Sequence, residues 1–249
     1  MLIELLLIVA VGFFAGLVNA IAGGGSLLTL PALIFLGLPS VEANATNRLA
    51  VLVQSFFSVL SLKNSGISEF RLSILPSIFA VLGSVVGFWI AIHISSQWFN
   101  LTLSIVMLLI AFLMIYKPKA EFIAKVKHKN PVAAVVFFLL GIYGGFIQAG
   151  IGVIMLILIP VLFGLNLVHS NFIKVFVNFV FTLFVLILFA YGGYINWESG
   201  IMLSVGMAFG GWFGSKWSVR LGHLGIQRVL VAVLVIMSAR LFWISFIAV

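Results

Sequence analysis

The chain is 249 residues long, 64% of them hydrophobic and 7% charged, with a formal net charge of +8. Soluble domains carry roughly 25% charged residues, so this composition excludes a soluble fold and leaves no room for a separate water-exposed domain. The basic residues are scattered at segment ends rather than gathered in a patch, which argues against nucleic acid as a partner and fits the Lys/Arg excess of cytoplasmic loops.

The mean hydropathy is +1.35. A membrane span needs ~20 apolar residues, so a chain of this length holds about eight to ten membrane-inserted helices with short loops. The expected class is an all-α polytopic protein of the cell (cytoplasmic) membrane, in contact with the lipid bilayer. Glu4 stands where a cleavable leader would place Lys or Arg, so the chain is read as retained from Met1.

Leu2 to Ala22 reads as a first helix. It runs into Asn19-Ala-Ile-Ala-Gly-Gly-Gly-Ser26, where three adjacent glycines each cost a helix about 1 kcal/mol against Ala. Backbone that leaves the helix at membrane depth must be buried in protein or line a polar cavity. Leu27 to Leu38 is a short apolar segment carrying Pro31, stopped by Gly37-Leu38-Pro39-Ser40. Val41 to Lys63, Phe70 to Ile92 and Trp98 to Tyr116 complete the first half. Lys117 to Asn130 is a hydrophilic linker with five Lys and one Glu, and Pro131 opens the next helix.

The plan then repeats. Val132 to Gly150 ends in a glycine break at Gly150 and Gly152, and Val153 to Leu167 is short and carries Pro160. His169 to Tyr191, Trp197 to Arg220 and Gly225 to Ile247 follow. Gly12, Gly16, Asn19, Ala20, Gly23 and Pro31 align with Gly141, Gly145, Gln148, Ala149, Gly152 and Pro160. Gly66, Gly83 and Gly87 align with Gly193, Gly210 and Gly214. Residues 1–116 and 132–249 are therefore read as two homologous repeats joined by a basic cytoplasmic linker, 117–131. Duplicated halves of this kind place a transporter's substrate site where they meet.

Charge gives the orientation. Lys63, Glu69 and Arg71 follow the third segment, and Lys216, Arg220, His223 and Arg228 follow the ninth. With these loops and the linker all cytoplasmic, each half has an odd number of crossings and the repeats are inverted. The alternative is eight spans with re-entrant hairpins and parallel repeats, because the short segments need not cross fully.

Polar residues at membrane depth form four clusters: Asn19 with Gly23, Gly24, Gly25 and Ser26; Asn44, Asn47 and Arg48 with Gln54; Gln148 with Gly150 and Gly152; and Asn171, Lys174 and Asn178. Intramembrane charge marks function by default. Arg48, two turns into its helix, and Lys174, one turn in, supply positive charge, unless they snorkel to headgroups. Asn19 and Gln148 supply hydrogen bonds, or serve as interhelical glue. Helix N-termini at Ser26 and near Gly152 turn N–H groups toward the midplane. A cationic, donor-rich site with no deep carboxylate suits an oxyanion and not a metal cation. The four His residues have no metal-ligand spacing, and no nucleophile has a nearby base. No cofactor, metal or enzymatic activity is expected. Arg240 reads as a snorkelling or packing residue. The glycines of the fourth and ninth segments read as close-packing positions, and Trp98, Tyr116, Tyr191, Tyr194 and Trp197 as interfacial belts.

Asn19-Ala-Ile-Ala-Gly-Gly-Gly-Ser26, Pro31 with Gly37-Leu38-Pro39, and Ala43-Asn-Ala-Thr-Asn-Arg48 together resemble the TauE/SafE family, the sulfite exporter and toluene-sulfonate uptake permeases. The second-half glycines (Gly141, Gly145, Gly150, Gly152) and the Lys-rich linker look similar as well. The second half departs from the family pattern at Asn171-Phe-Ile-Lys174 and at Val153-Ile-Met155. The resemblance implies transport of sulfite, thiosulfate or organosulfonates across the cytoplasmic membrane. The expected activity is a secondary transporter of a small anion working by alternating access, and the alternative is an anion channel. The candidate substrate-binding residues are Asn19, Gly23, Gly24, Gly25, Ser26, Asn47, Arg48, Gln148, Lys174 and Asn178. Protons as coupling ion enter only by analogy with other secondary carriers, and a homodimer is a further expected arrangement.

Overall fold

A computed structural model describes residues 2–116, 129–218 and 224–247, which form ten α-helices and no strand. These are α1 (Leu2–Ala22), α2 (Ser26–Phe35), α3 (Ser40–Asn64), α4 (Phe70–His93), α5 (Ser96–Tyr116), α6 (Lys129–Phe146), α7 (Ile151–Phe163), α8 (Leu167–Tyr191), α9 (Trp197–Ser218) and α10 (Leu224–Ile247). Most of the linker, together with Arg220 and His223, lies outside the described residues. Among the described residues α3, α4, α5 and α8 are each long and apolar enough to cross a membrane. Large apolar side chains along α4, α5 and α9, such as Ile78, Leu82, Phe112, Ile115 and Phe209, are exposed and face where lipid would be. Trp98, Tyr116, Tyr191 and Trp197 are exposed at helix ends, and Tyr194 packs edge-on against Phe189.

Both glycine breaks are real ends of helices. Leaving the helix after Ala22, the chain takes a left-handed conformation at Gly23 (φ 79°), which an L side chain adopts only at a cost. The second break lies slightly earlier than the glycines suggested. Helix α6 stops at Phe146, Gln148 is itself left-handed (φ 64°), Gly150 follows at φ 77°, and Gly152 already belongs to α7.

Each short helix folds back along its predecessor. Leu7, Ile8 and Val11 of α1 line one cavity with Ala32, Leu33 and Phe35 of α2 and with Leu36 just after it. At the other end of the pair, a side chain on Gly25 would strike the Ala15 carbonyl. In the second pair the rings of Phe137, midway along α6, and Phe163, at the end of α7, are 6.4 Å apart. The result is two helical hairpins, α1–α2 and α6–α7, whose tips meet. A Cβ on Gly23 would lie 2.4 Å from the Gly152 carbonyl carbon, and one on Gly152 would lie 2.7 Å from Gly23 Cα.

The hairpins dock on the opposite halves. Helix α1 packs along α9, and α6 along α4. Glycines make both contacts backbone-close. A Cβ on Gly83 or Gly87 would sit 2.0 Å from the carbonyl oxygen of Phe138 or Ile142, and one on Gly206 or Gly210 would sit 2.1 or 2.0 Å from that of Val9 or Phe13. In lipid, helix association rests on such van der Waals contact, because apolar burial between helices gains nothing over lipid tails.

Helices α3 and α8 run antiparallel through the centre. Ser55 meets Asn178 near their middles, Thr46 accepts from the backbone of Asn196 just beyond α8, and Glu69 just beyond α3 meets His169 at the start of α8. Helices α5 and α10 pack together at the side of α2. Arg240 is exposed, with its guanidinium 4.3 Å above the Phe35 ring, at the rim of a mainly apolar cavity of about 280 Å³ between α1, α2, α9 and α10.

Candidate functional site

Where α6 ends, its last carbonyls have no intrahelical partner and carry the negative end of the helix dipole. Helix α3, from the other half, answers them. Arg48 donates from Nη1 to Gly144 O at 2.9 Å and from Nη2 to Gly145 O at 2.7 Å, and Asn44 Nδ2 donates to Phe146 O at 2.8 Å. The Arg48 guanidinium also lies 5.1 Å from the centre of the Phe189 ring of α8. The end of α1 is treated the same way by α8. Lys174 Nζ donates to Asn19 O at 3.0 Å, and Asn171 Nδ2 to Ala20 O at 3.1 Å. Each broken helix is thus closed by a cation and an amide from the opposite half.

Arg48 has no exposed surface and Lys174 has 3%, so neither snorkels to a headgroup. Lys174 is also deeper than its sequence position suggested. Asn166 caps α8, its Oδ1 accepting from Val168 N at 3.1 Å and His169 N at 3.0 Å, so the helix starts at Leu167 and Lys174 lies about two turns in.

Asn19 and Gln148 tie the breaks to the central helices. Asn19 Nδ2 donates to Gln54 Oε1 at 2.6 Å and its Oδ1 accepts from Gly25 N at 3.3 Å, while Gln54 passes the chain on to Ser58 at 2.8 Å. Gln148 Nε2 donates to Asn178 Oδ1 at 3.2 Å and Thr182 Oγ1 at 2.5 Å. Asn178 Nδ2 then crosses to Ser55 Oγ of α3 at 3.0 Å. Asn47 accepts at Oδ1 from Thr29 of α2, at 2.5 Å. The Tyr143 hydroxyl donates to Ala149 O and steadies the second break.

All ten candidate residues are buried; the bonds above join Asn19 with Gly25 and Lys174, and Gln148 with Asn178, whereas Arg48 and Asn47 bond to Gly144, Gly145 and Thr29 rather than to other candidates. Ser26 opens α2, whose start, like that of α7, has no side-chain cap. The space that Gly23 and Gly25 leave is filled here by the backbones of Gly152 and Ala15, and Gly24 O accepts from Leu27 N at 3.1 Å. Several buried polar atoms have no protein partner: Asn47 Nδ2 and Arg48 Nε are donors, and Asn44 Oδ1, Gln148 Oε1 and Asn171 Oδ1 are acceptors. Unpaired groups in a dry interior are costly unless something else meets them. No carboxylate is among the buried residues described, and no group of three or more His, Cys, Asp or Glu among them could hold a metal.

Sequence reasoning did not single out Thr29, Ser55, Thr182, Tyr143 or Phe189. Hydroxyls and aromatic rings are common inside membrane helices, so nothing in the residue types sets these five apart. Asn44 and Asn171 were legible as polar residues one turn from the cations, though not as partners of a helix end.

The family profile described as Sulfite exporter TauE/SafE matches residues 8–241. A "Probable membrane transporter protein" of Haemophilus influenzae is 30% identical over 97% of this chain and 96% of its own length. The Escherichia coli K12 "Probable membrane transporter protein YfcA" is 28% identical over 94% of this chain and 87% of its own length. A "Probable membrane transporter protein YunE" of Bacillus subtilis is 22% identical over 95% and 97%. No solved structure matches. With its helical membrane architecture and a match along nearly its whole length, the chain belongs to the TauE/SafE family and is a multi-pass membrane transporter.

Proposed function

We propose that the protein is a secondary carrier of a small anion, with sulfur oxyanions and organosulfonates as its cargo, and that it works by alternating access between two inverted repeats, residues 1–116 and 132–249. The observation that carries this reading is the pairing of two buried cations, Arg48 and Lys174, with amide side chains at the meeting point of two broken helices, with no carboxylate among the buried residues described. The unpaired donors Asn47 Nδ2 and Arg48 Nε are suited to an oxyanion's oxygens. The exchanged docking of α1 on α9 and α6 on α4, and the antiparallel course of α3 and α8, favour inversion over parallel repeats. The family's description as sulfite exporters supports the sulfur class of cargo.

A carrier is favoured over a channel because Asn44, Asn47, Arg48 and Gln54 have no exposed surface and the tips are in backbone contact. Transport then requires the tips to part, with an anion taking over donors that now hold helix ends.

The test is uptake of labelled sulfite, thiosulfate and methanesulfonate into proteoliposomes. Saturable uptake of at least one is expected, with Arg48→Ala reducing it at least tenfold and Arg48→Lys less. Unchanged uptake in Arg48→Ala ends the site assignment, and large unitary currents would make the protein a channel.

A further inference from the structure

Two cations bridge the halves, and they differ chemically. A guanidinium does not release its proton in a protein, whereas an ammonium can. The Arg48 bridge from α3 to α6 is therefore permanent in charge. The Lys174 bridge, from α8 in the second half to the Asn19 carbonyl in the first, can be switched by one proton.

Lys174 is also isolated from other titrating groups. On α8 the others are His169 and Tyr191, at its two ends. Packed against α8, α7 carries none, and α6 carries Tyr143, whose hydroxyl is bonded to Ala149, with Lys129 at its far end. Helix α4 brings Arg71 and His93 at its ends, and Glu69 before it is paired with His169 at 2.7 Å. Helix α3 brings Arg48, bound to Gly144 and Gly145, with Glu42 and Lys63 at its ends. Helix α1 offers backbone carbonyls, its one titratable residue being Glu4 at its start. Among the described buried residues, Lys174 is thus the group placed both at the closure between halves and able to exchange a proton.

We propose that Lys174 is the proton carrier of the transport cycle, an inference that rests on the anion-carrier reading above. Water on the entry side gives a proton to Nζ, and the ammonium then holds the anion's charge together with Arg48. On the exit side Nζ returns the proton to water as the anion leaves, and the neutral amine resets the carrier. One proton crosses with each anion.

The test uses purified full-length protein in proteoliposomes loaded with a pH-sensitive dye, under an inward gradient of methanesulfonate, benzenesulfonate or thiosulfate. These anions hold no proton near neutral pH, so lumenal acidification reports a proton that the protein carried. Wild type should acidify the lumen in step with anion entry, one for one. Lys174→Arg keeps the charge and the bond to Asn19 O but does not titrate. Net proton entry should fall by tenfold or more, and anion-for-anion exchange, which needs no proton release, should fall less than net proton entry does. If Lys174→Arg does not fold, Lys174→Gln, which still offers a donor to Asn19 O, takes its place with the same expected loss of proton entry. Anion uptake without acidification in wild type overturns the proton proposal and leaves the carrier standing. Proton entry that persists in the variant overturns the assignment to Lys174. Failure of wild type to move any of the three anions overturns this proposal, and if sulfite is not taken up either, the carrier reading falls with it.

Discussion

The contact between the hairpin tips can be tested by one methyl group. At Gly23 an Ala would meet two costs. The left-handed conformation disfavours an L side chain by about 1–2 kcal/mol, and the new Cβ would lie 2.4 Å from the Gly152 carbonyl carbon and 2.7 Å from its oxygen, in backbone that cannot rotate away. Overpacking of this sort costs ~1–3 kcal/mol. Gly66 supplies the control, since it has nearly the same backbone conformation (φ 80° against 79°) but nothing within 4 Å of its Cβ position. The backbone term and the effect of Ala on the unfolded chain are common to both sites and cancel in the comparison. Gly23→Ala should then be less stable than Gly66→Ala by the packing term alone, about 1–3 kcal/mol, or ~2–12 °C in melting temperature at ~2–4 °C per kcal/mol. Thermal unfolding in detergent, followed by tryptophan fluorescence, reads the difference. Equal melting temperatures for the two variants would refute the tip contact and the meeting of the breaks with it.

Further outcomes follow from the same geometry. Gly83→Ala, whose Cβ would lie 2.0 Å from Phe138 O, should push α4 off α6 and lower the melting temperature by an amount corresponding to about 1–3 kcal/mol; a neutral result would show that the two helices do not touch through backbone. Glu69→Gln should cost under ~1 kcal/mol, measured by thermal unfolding, because the His169 pair is partly exposed (39% and 23%). The wild-type chain has no Cys, so single cysteines report topology cleanly. Ser65→Cys and Asn166→Cys should react with an impermeant maleimide from one side of the membrane and Gly193→Cys from the other, and labelling of the first two from opposite sides would break the antiparallel arrangement of α3 and α8.

The residues made the ten elements readable, because the signals were local. Glycine clusters ended α1 and α6, Pro39 set the start of α3, and polar side chains inside apolar runs marked the centre. The spacing of Gly83 and Gly87 likewise announced a close helix contact. It could not say that the partner was α6, nor that Gly12 and Gly16 belong against α9, since pairing between halves has no local signature. The second break was placed too late because Gln148 takes a left-handed conformation usually left to glycine or Asn. Asn166 was a legible cap, and overlooking it put Lys174 a turn too shallow. The pairing of His169 with Glu69, 100 residues away in sequence, had no sequence signal at all.

The way each hairpin is finished by the opposite half bears on how the chain is made. The Ala20 carbonyl waits for a partner 151 residues downstream, and the Asn19 carbonyl, which Gly23 N already meets at 3.0 Å, gains its second donor 155 residues downstream. During synthesis the first hairpin must sit in the bilayer with polar ends open until α8 emerges from the ribosome. Each half expressed alone should therefore be cleared by proteolysis, whereas the two co-expressed as separate polypeptides should rescue one another.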